Sequence, residues 1–101
     1  MLLLVPMDGD NIQESKLVGN LSALKWALVN VEEGKVKEIS FYDNKEDITE
    51  WYEAVIVIGD YEPVMEFIEM QVMVLVAHTQ RTIDEIVEAF LFKELHDLAV
   101  M

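Results

Sequence analysis

The sequence predicts a single α/β domain, residues 1–101, built on a mixed five-stranded sheet with an N-terminal antiparallel hairpin and about three helices. Apolar runs of strand length alternate with helical patterns in the second half of the chain. A hairpin pattern precedes them, with a glycine at its turn. The 52% hydrophobic content of the 101 residues suffices for one buried core and excludes a disordered chain.

The first half of the chain is predicted to hold three strands. Residues 2–5, LLLV, are the continuous apolar run typical of a central strand, and Pro6 with the Asp-Gly-Asp turn ends it. Residues 7–20 then form a long polar loop. Residues 24–31 and 35–42 flank the tetrapeptide EEGK, in which Gly34 supplies the positive φ that a tight hairpin turn needs.

Buried strands and helices are predicted to alternate in the second half. Ile48, Trp51 and Tyr52 lie at i, i+3, i+4 spacing, which favours a short helix directly after the hairpin. Pro63 suits the first turn of another helix. Two further buried strands, separated by that helix, are predicted at residues 54–58 and 72–76.

The last helix is predicted from its cap. Thr82 and Glu85 match a capping box, and apolar residues follow at helical spacing. His96 falls in the charged C-terminal end of this helix, where we expect an exposed residue outside any site. Met65 and Met73 fall at apolar positions of a helix and a strand, so we expect them in the core.

The charge and the residue types present exclude several function classes. The formal net charge of −13 comes from 20 acidic and 7 basic residues, and it opposes binding to nucleic acid or to an anionic membrane surface. The absence of cysteine excludes disulfides, thiolate ligands and cysteine nucleophiles. No apolar run has membrane-spanning length and MLLLVPM is too short for a signal peptide, so we expect a cytoplasmic protein.

Four stretches in a fixed order carry a family resemblance: LLLVPMDGD, WALVNVEEGKVKEISFY, AVIVIG and TIDEIVEAFLFKEL. Through them the chain resembles, over nearly its whole length, the dinitrogenase iron–molybdenum cofactor biosynthesis family, also called NifX-like. The resemblance implies a three-layer ribonuclease H-like fold. It also implies binding of iron–molybdenum cofactor, its precursors or an iron–sulfur cluster, with a cluster donor or acceptor protein as the partner.

The first motif of that family, His-Phe-Gly-Arg-Ala before the second strand, is altered here. The chain reads GNLSA at this place, so Gly19 stands where the family has its histidine and Ser22 where it has its arginine. The histidine that could ligate a cluster and the arginine that could pair with an anion are therefore both replaced.

The second motif, a Gly-Gly-x-Gly-Pro turn, reads GDYEP. Gly59 and Pro63 match, while Asp60 and Glu62 replace the second and third glycines. A glycine-rich turn before a helix is typical of a backbone cradle for an anion. Two carboxylates reverse its charge, which suits a cation or a basic partner.

The fold class also predicts where a ligand would bind. Ligands of open α/β sheets bind beyond the carboxyl ends of the parallel strands, where residues 7–20, 59–62 and 77–81 are expected to meet. The candidate cofactor-binding residues, taken from these loops and from the two motifs, are Asp8, Gly9, Asp10, Gly19, Gly59, Asp60, His78 and Arg81.

Each candidate also has a plainer interpretation. Asp8, Asp10 and Asp60 could supply oxygen ligands to Mg²⁺, Mn²⁺ or Ca²⁺, but Asp-Gly-Asp is also a common turn. His78 could ligate a borderline metal or be a solvated loop residue. Arg81, ahead of the last helix, could bind an anion or belong to an ordinary N-cap.

Three functions follow, in order of preference. The first is a non-catalytic carrier or accessory protein for a metal cluster, with altered ligand motifs. The second is an acidic protein-interaction module that has lost cluster binding. The third is a divalent-metal enzyme using the aspartates; we expect no enzyme, because the sequence offers no nucleophile and base in a known motif.

Overall fold

A computed structural model describes residues 1–98 as one mixed six-stranded sheet with helices on both faces. The strand order is β3-β2-β1-β4-β5-β6. The strands are β1 Leu2–Met7, β2 Lys25–Glu32, β3 Lys35–Tyr42, β4 Ala54–Val57, β5 Met73–Val76 and β6 His96–Asp97. The α-helices are α1 Met65–Glu69 and α2 Ile83–Leu91, and single 3₁₀ turns lie at Asn20–Ser22 and Lys45–Asp47.

The predicted N-terminal hairpin is confirmed. β2 and β3 are antiparallel up to the pair Glu32 and Lys35, so the loop consists of Glu33 and Gly34. Both have positive φ, 53° and 80°. A two-residue loop with positive φ at both positions matches the twist of the strands it joins, which explains the glycine.

The buried strands lie at the centre of the sheet, as predicted. β1 pairs in parallel with β4, and β4 in parallel with β5, while β1 and β2 are antiparallel. All four residues of β4 are buried. β1 continues beyond its predicted end through Pro6 to Met7, since β2 still pairs with it there.

Two apolar clusters hold the layers together, one on each face of the sheet. On the first face α2 packs through Ile83, Ile86 and Val87, and Leu17 from the first loop joins them. On the second face α1 contributes Phe67, next to Tyr52. The chain therefore forms the three layers expected, with a much thinner helical layer on the second face.

The strand and helix counts differ from the prediction. The structure has six strands rather than five and, within residues 1–98, two α-helices rather than about three. The helix predicted at Ile48, Trp51 and Tyr52 is wrong: the chain makes only a 3₁₀ turn before Ile48. Tyr52 is buried while Trp51 is 65% exposed, so the three side chains do not share one buried face.

The C-terminal region and two methionines also depart from expectation. α2 ends at Leu91, the chain reverses through Lys93 at φ 59°, and His96 begins β6 instead of ending a helix. Met65 and Met73 are 68% and 38% exposed rather than in the core. Within residues 1–98, no helix has the length and apolarity needed to cross a bilayer.

Candidate functional site

Three loops meet at the carboxyl ends of β1, β4 and β5, where the fold predicts a ligand site. The backbone amide of Leu17 in the first loop donates to the carbonyl of Arg81 in the third, at 2.7 Å. The amide of Asn20 donates to Glu62 in the second loop at 2.6 Å. These bonds fix the three loops against one another.

The carboxylate of Glu62 connects the second loop to residues 19 and 20 of the first. Its Oε1 accepts the hydrogen bond from the Asn20 amide, and a Cβ added to Gly19 would lie only 3.1 Å from that oxygen. The Asn20 side-chain amide donates to the carbonyl of Pro63 at 2.8 Å. The chain's own carboxylate therefore fills the space beside residue 19.

Asp60 and His78 form the most direct side-chain contact between the second and third loops. His78 Nε2 lies 2.9 Å from Asp60 Oδ1, and the two side chains are 55% and 47% exposed. The ring of His96 lies 6.1 Å from that of His78, centroid to centroid. His96, expected to lie outside any site, therefore stands beside one of the candidate residues.

Arg81 organises its own loop. Its guanidinium donates to the carbonyls of Ala77, Gln80 and His78 at 2.8–3.0 Å. Its backbone amide donates to Glu85, and this bond, with that from the Thr82 amide, lowers the pKa of the Glu85 carboxyl. The predicted capping box is confirmed, and the guanidinium is directed to loop carbonyls.

Asp8, Gly9 and Asp10 form a compact turn. Asp8 Oδ1 accepts the Lys16 amide at 2.8 Å. The pKa of Lys25 is raised by its hydrogen bond to Asp43 and the charge of Asp43, with a smaller contribution from the charge of Asp10. A Cβ on Gly9 would lie 3.0 Å from the hydroxyl of buried Ser15, which explains the glycine. These contacts match the turn interpretation of Asp-Gly-Asp.

Neither the backbone conformation nor the packing requires a glycine at position 59. Its φ lies outside the left-handed region, and beyond its chain neighbours no described heavy atom comes within 4 Å of a Cβ built there. A larger side chain would fit.

The site residues do not suit a metal ion or an anionic cluster. Within residues 1–98, no group of three or more histidine, aspartate or glutamate side chains is placed to hold a metal ion, so Asp8, Asp10 and Asp60 do not form a ligand set. Asp60 and Glu62 would repel an anionic cluster, and Glu62 fills the space beside Gly19.

Sequence reasoning places the carboxylate of Glu62 in the second loop but does not predict its bond to the first loop. Asn20, which makes two hydrogen bonds, to Glu62 and Pro63, is not among the predicted site residues. Asn20 and Glu62 lie 42 positions apart, so no local sequence pattern reports their contact.

Comparisons with known proteins establish the fold. No family model matches the chain, and no curated protein matches it. A crystal structure of a Methanocaldococcus jannaschii protein, provisionally named a dinitrogenase, superposes with a TM-score of 0.78 at 15% identity, covering 100% of this chain and 97% of that one. PH0822 superposes with a TM-score of 0.75 at 16% identity, covering 96% of each chain. At these identities the likeness concerns the fold alone.

Proposed function

We propose that this protein is a non-catalytic accessory protein, related to those that handle iron–molybdenum cofactor and other metal clusters, and that it acts by binding a basic protein partner. One observation favours binding of a basic protein partner over binding of a cluster. The carboxylate of Glu62 occupies the space beside Gly19 and accepts the Asn20 amide, where a cluster-binding relative would need an open, neutral or basic cradle.

The charge of the whole chain supports this mode. A net charge of −13 on 101 residues gives a strong negative field, which attracts a basic partner and accelerates its encounter. Asp60 and Glu62 extend that field to the edge where ligands of this fold class bind. His78 contacts Asp60 at this edge, so its imidazole lies beside a carboxylate that a basic partner could also meet.

A second candidate function is carriage of an iron–molybdenum or iron–sulfur cluster received from a donor protein. The superposition with the provisionally named dinitrogenase over the whole chain favours it. Here the cluster is cargo, and His78, half-exposed at the loop edge, is the side chain best placed to contact it.

Cluster loading separates the two. Protein purified without oxygen is reconstituted with iron and sulfide or with a preformed cluster, then gel-filtered and analysed for metal. We expect the natural chain to emerge without metal. A double variant, Gly19→His with Glu62→Gly, restores the family residue and removes the carboxylate that would collide with it, so uptake by this variant alone would locate the lost site. Metal at stoichiometric level on the natural chain would favour the carrier.

Partner binding is tested by capture from a native lysate at low and high salt. Screening lengths fall from about 10 Å at 0.1 M to about 3 Å at 1 M ionic strength, so a charge-driven partner should be retained at the first and released at the second. Loss of capture at low salt in a charge-reversed variant supports the proposal. No partner at low salt would contradict it.

A further inference from the structure

A surface groove runs beside α1 on the thinly covered second face of the sheet. It consists of two adjoining cavities of about 300 and 110 Å³. Lys45 and Glu66 line both, so the pair forms a bridge between them. Trp51 and Met70 line the larger cavity; Leu21 and Pro63 line the smaller.

The groove exposes large apolar side chains. Leu21 is 90% exposed and Trp51 65%, and Met65 on the adjoining helix is 68% exposed. The cause lies in α1, whose five residues bury only Phe67 and leave the neighbouring apolar surface uncovered. Several large exposed apolar side chains around one groove are typical of interaction sites.

The groove already holds a positive charge from its own chain. Lys45 Nζ lies 3.0 Å from Glu46 Oε2, 3.4 Å from Glu66 Oε1 and 5.6 Å from the ring centroid of Trp26. Burial by itself lowers the pKa of Lys45, yet the bond to Glu46 and the charge of Glu66 outweigh it, and the pKa is raised. The groove therefore stabilises an ammonium group beside an aromatic ring.

Negative charge remains at the rim of the larger cavity. Glu50 is exposed there, and no described residue forms an ion pair with it. A cationic group arriving at Glu50 would find, within the same cavity, the apolar side chains of Ile48, Trp51 and Met70. A negative charge next to apolar side chains suits a ligand that carries both a cationic and an apolar side chain.

We propose that this groove binds a basic segment of a protein partner, with one apolar side chain seated against Trp51 and Met70 and a lysine or arginine side chain meeting Glu50. The inference rests on the proposed function, for which it supplies the contact surface. Charge complementarity with a chain of net charge −13 selects a basic segment over an acidic or neutral one.

The test uses the full chain labelled for NMR and mixtures of synthetic peptides in which one leucine, methionine or phenylalanine is flanked by lysine and arginine. We expect the resonances of Trp51, Ile48 and Met70 to shift. Matched mixtures flanked by glutamate should leave them in place. Basic mixtures that leave these resonances unmoved, or move them no more than the glutamate mixtures do, would overturn the proposal.

Variants with matched controls locate the contact. Because truncating a central aromatic anchor costs a large share of binding energy, Trp51→Ala should weaken binding at least about tenfold. Glu50→Lys should weaken it at low salt and much less at high salt. The controls, Phe92→Ala at the 70% exposed residue after α2 and Glu88→Lys on α2, lie with the opposite layer and should change affinity less than about twofold.

The outcomes separate this inference from the proposed function. If the natural chain loads no cluster and captures a salt-sensitive partner, but Trp51→Ala and Glu50→Lys bind that partner unchanged, the groove is wrong and the function stands. If the natural chain loads a cluster and captures no partner, the function itself fails. Amide spectra of all four variants confirm that each is folded.

Discussion

Removing the carboxylate of Glu62 should loosen the join between the first and second loops. The bond from the Asn20 amide to Glu62 Oε1 connects residues 42 positions apart in the chain, at 2.6 Å and in a partly buried setting. Glu62→Ala leaves that amide without its acceptor. It also opens the space beside Gly19, which the carboxylate fills.

The expected cost follows from the type of bond and its exposure. Hydrogen bonds to a charged group contribute about 1.5–3 kcal/mol, and the partial exposure of Glu62 places this one at about 1.5 kcal/mol. For a domain of this size that corresponds to a fall in Tm of about 6–12 °C. Glu62→Gln keeps an acceptor oxygen without the charge and should cost about half as much.

Urea unfolding by linear extrapolation measures the loss, and hydrogen exchange at the Asn20 amide reports the local opening. Glu69→Ala is the matched control, because Glu69 is an exposed glutamate on α1. The reasoning is refuted if Glu62→Ala and Glu69→Ala have the same free energy of unfolding and the Asn20 amide exchanges no faster than in the natural chain.

Three further predictions concern the framework. Phe67→Ala should cost about 3–5 kcal/mol in urea unfolding, because Phe67 is the buried anchor of a five-residue helix; a loss near 1 kcal/mol would contradict that role. Glu85→Ala should destabilise the protein at pH 7, and the difference should shrink as the pH falls below 4.5, since the lowered pKa of Glu85 stabilises the fold only while the carboxylate is charged; unfolding curves at a series of pH values check this. Gly34→Ala should cost about 1 kcal/mol because its φ is 80°, whereas Gly59→Ala should not destabilise, and equal effects in thermal unfolding would refute the distinction.

The parts of the fold that were predictable from sequence depend on local patterns. The two-residue turn at Glu33 and Gly34, the apolar run of β4 and the Thr82 cap each carry their signal within a few residues. The helix predicted around Trp51 failed because three residues at helical spacing define no helix when tertiary contacts bury only one of them. β6 is two residues long and pairs with β5, a contact that no local sequence pattern predicts.

The sequence predicts where the candidate site lies better than it predicts what the side chains of the site contact. The topology brings the three loops together, and the contact of Asp60 with His78 follows from it. Whether a side chain faces a ligand or its own loop depends on hydrogen bonds between residues far apart in sequence. Arg81 binds loop carbonyls, and Glu62 reaches back to Asn20, for reasons visible only in three dimensions.

The two borders of the sheet are unequal, and that inequality limits how copies of this protein could join. β6 covers β5 at one border with only two residues, while β3 leaves eight residues of backbone along the other. A long open border is a template for strand addition, yet β3 carries the exposed charges of Lys35, Lys37 and Glu38. A strand of another molecule added at β3 would have to lie beside these charged side chains. Their charges therefore disfavour continuous sheet formation at the border where the backbone is open.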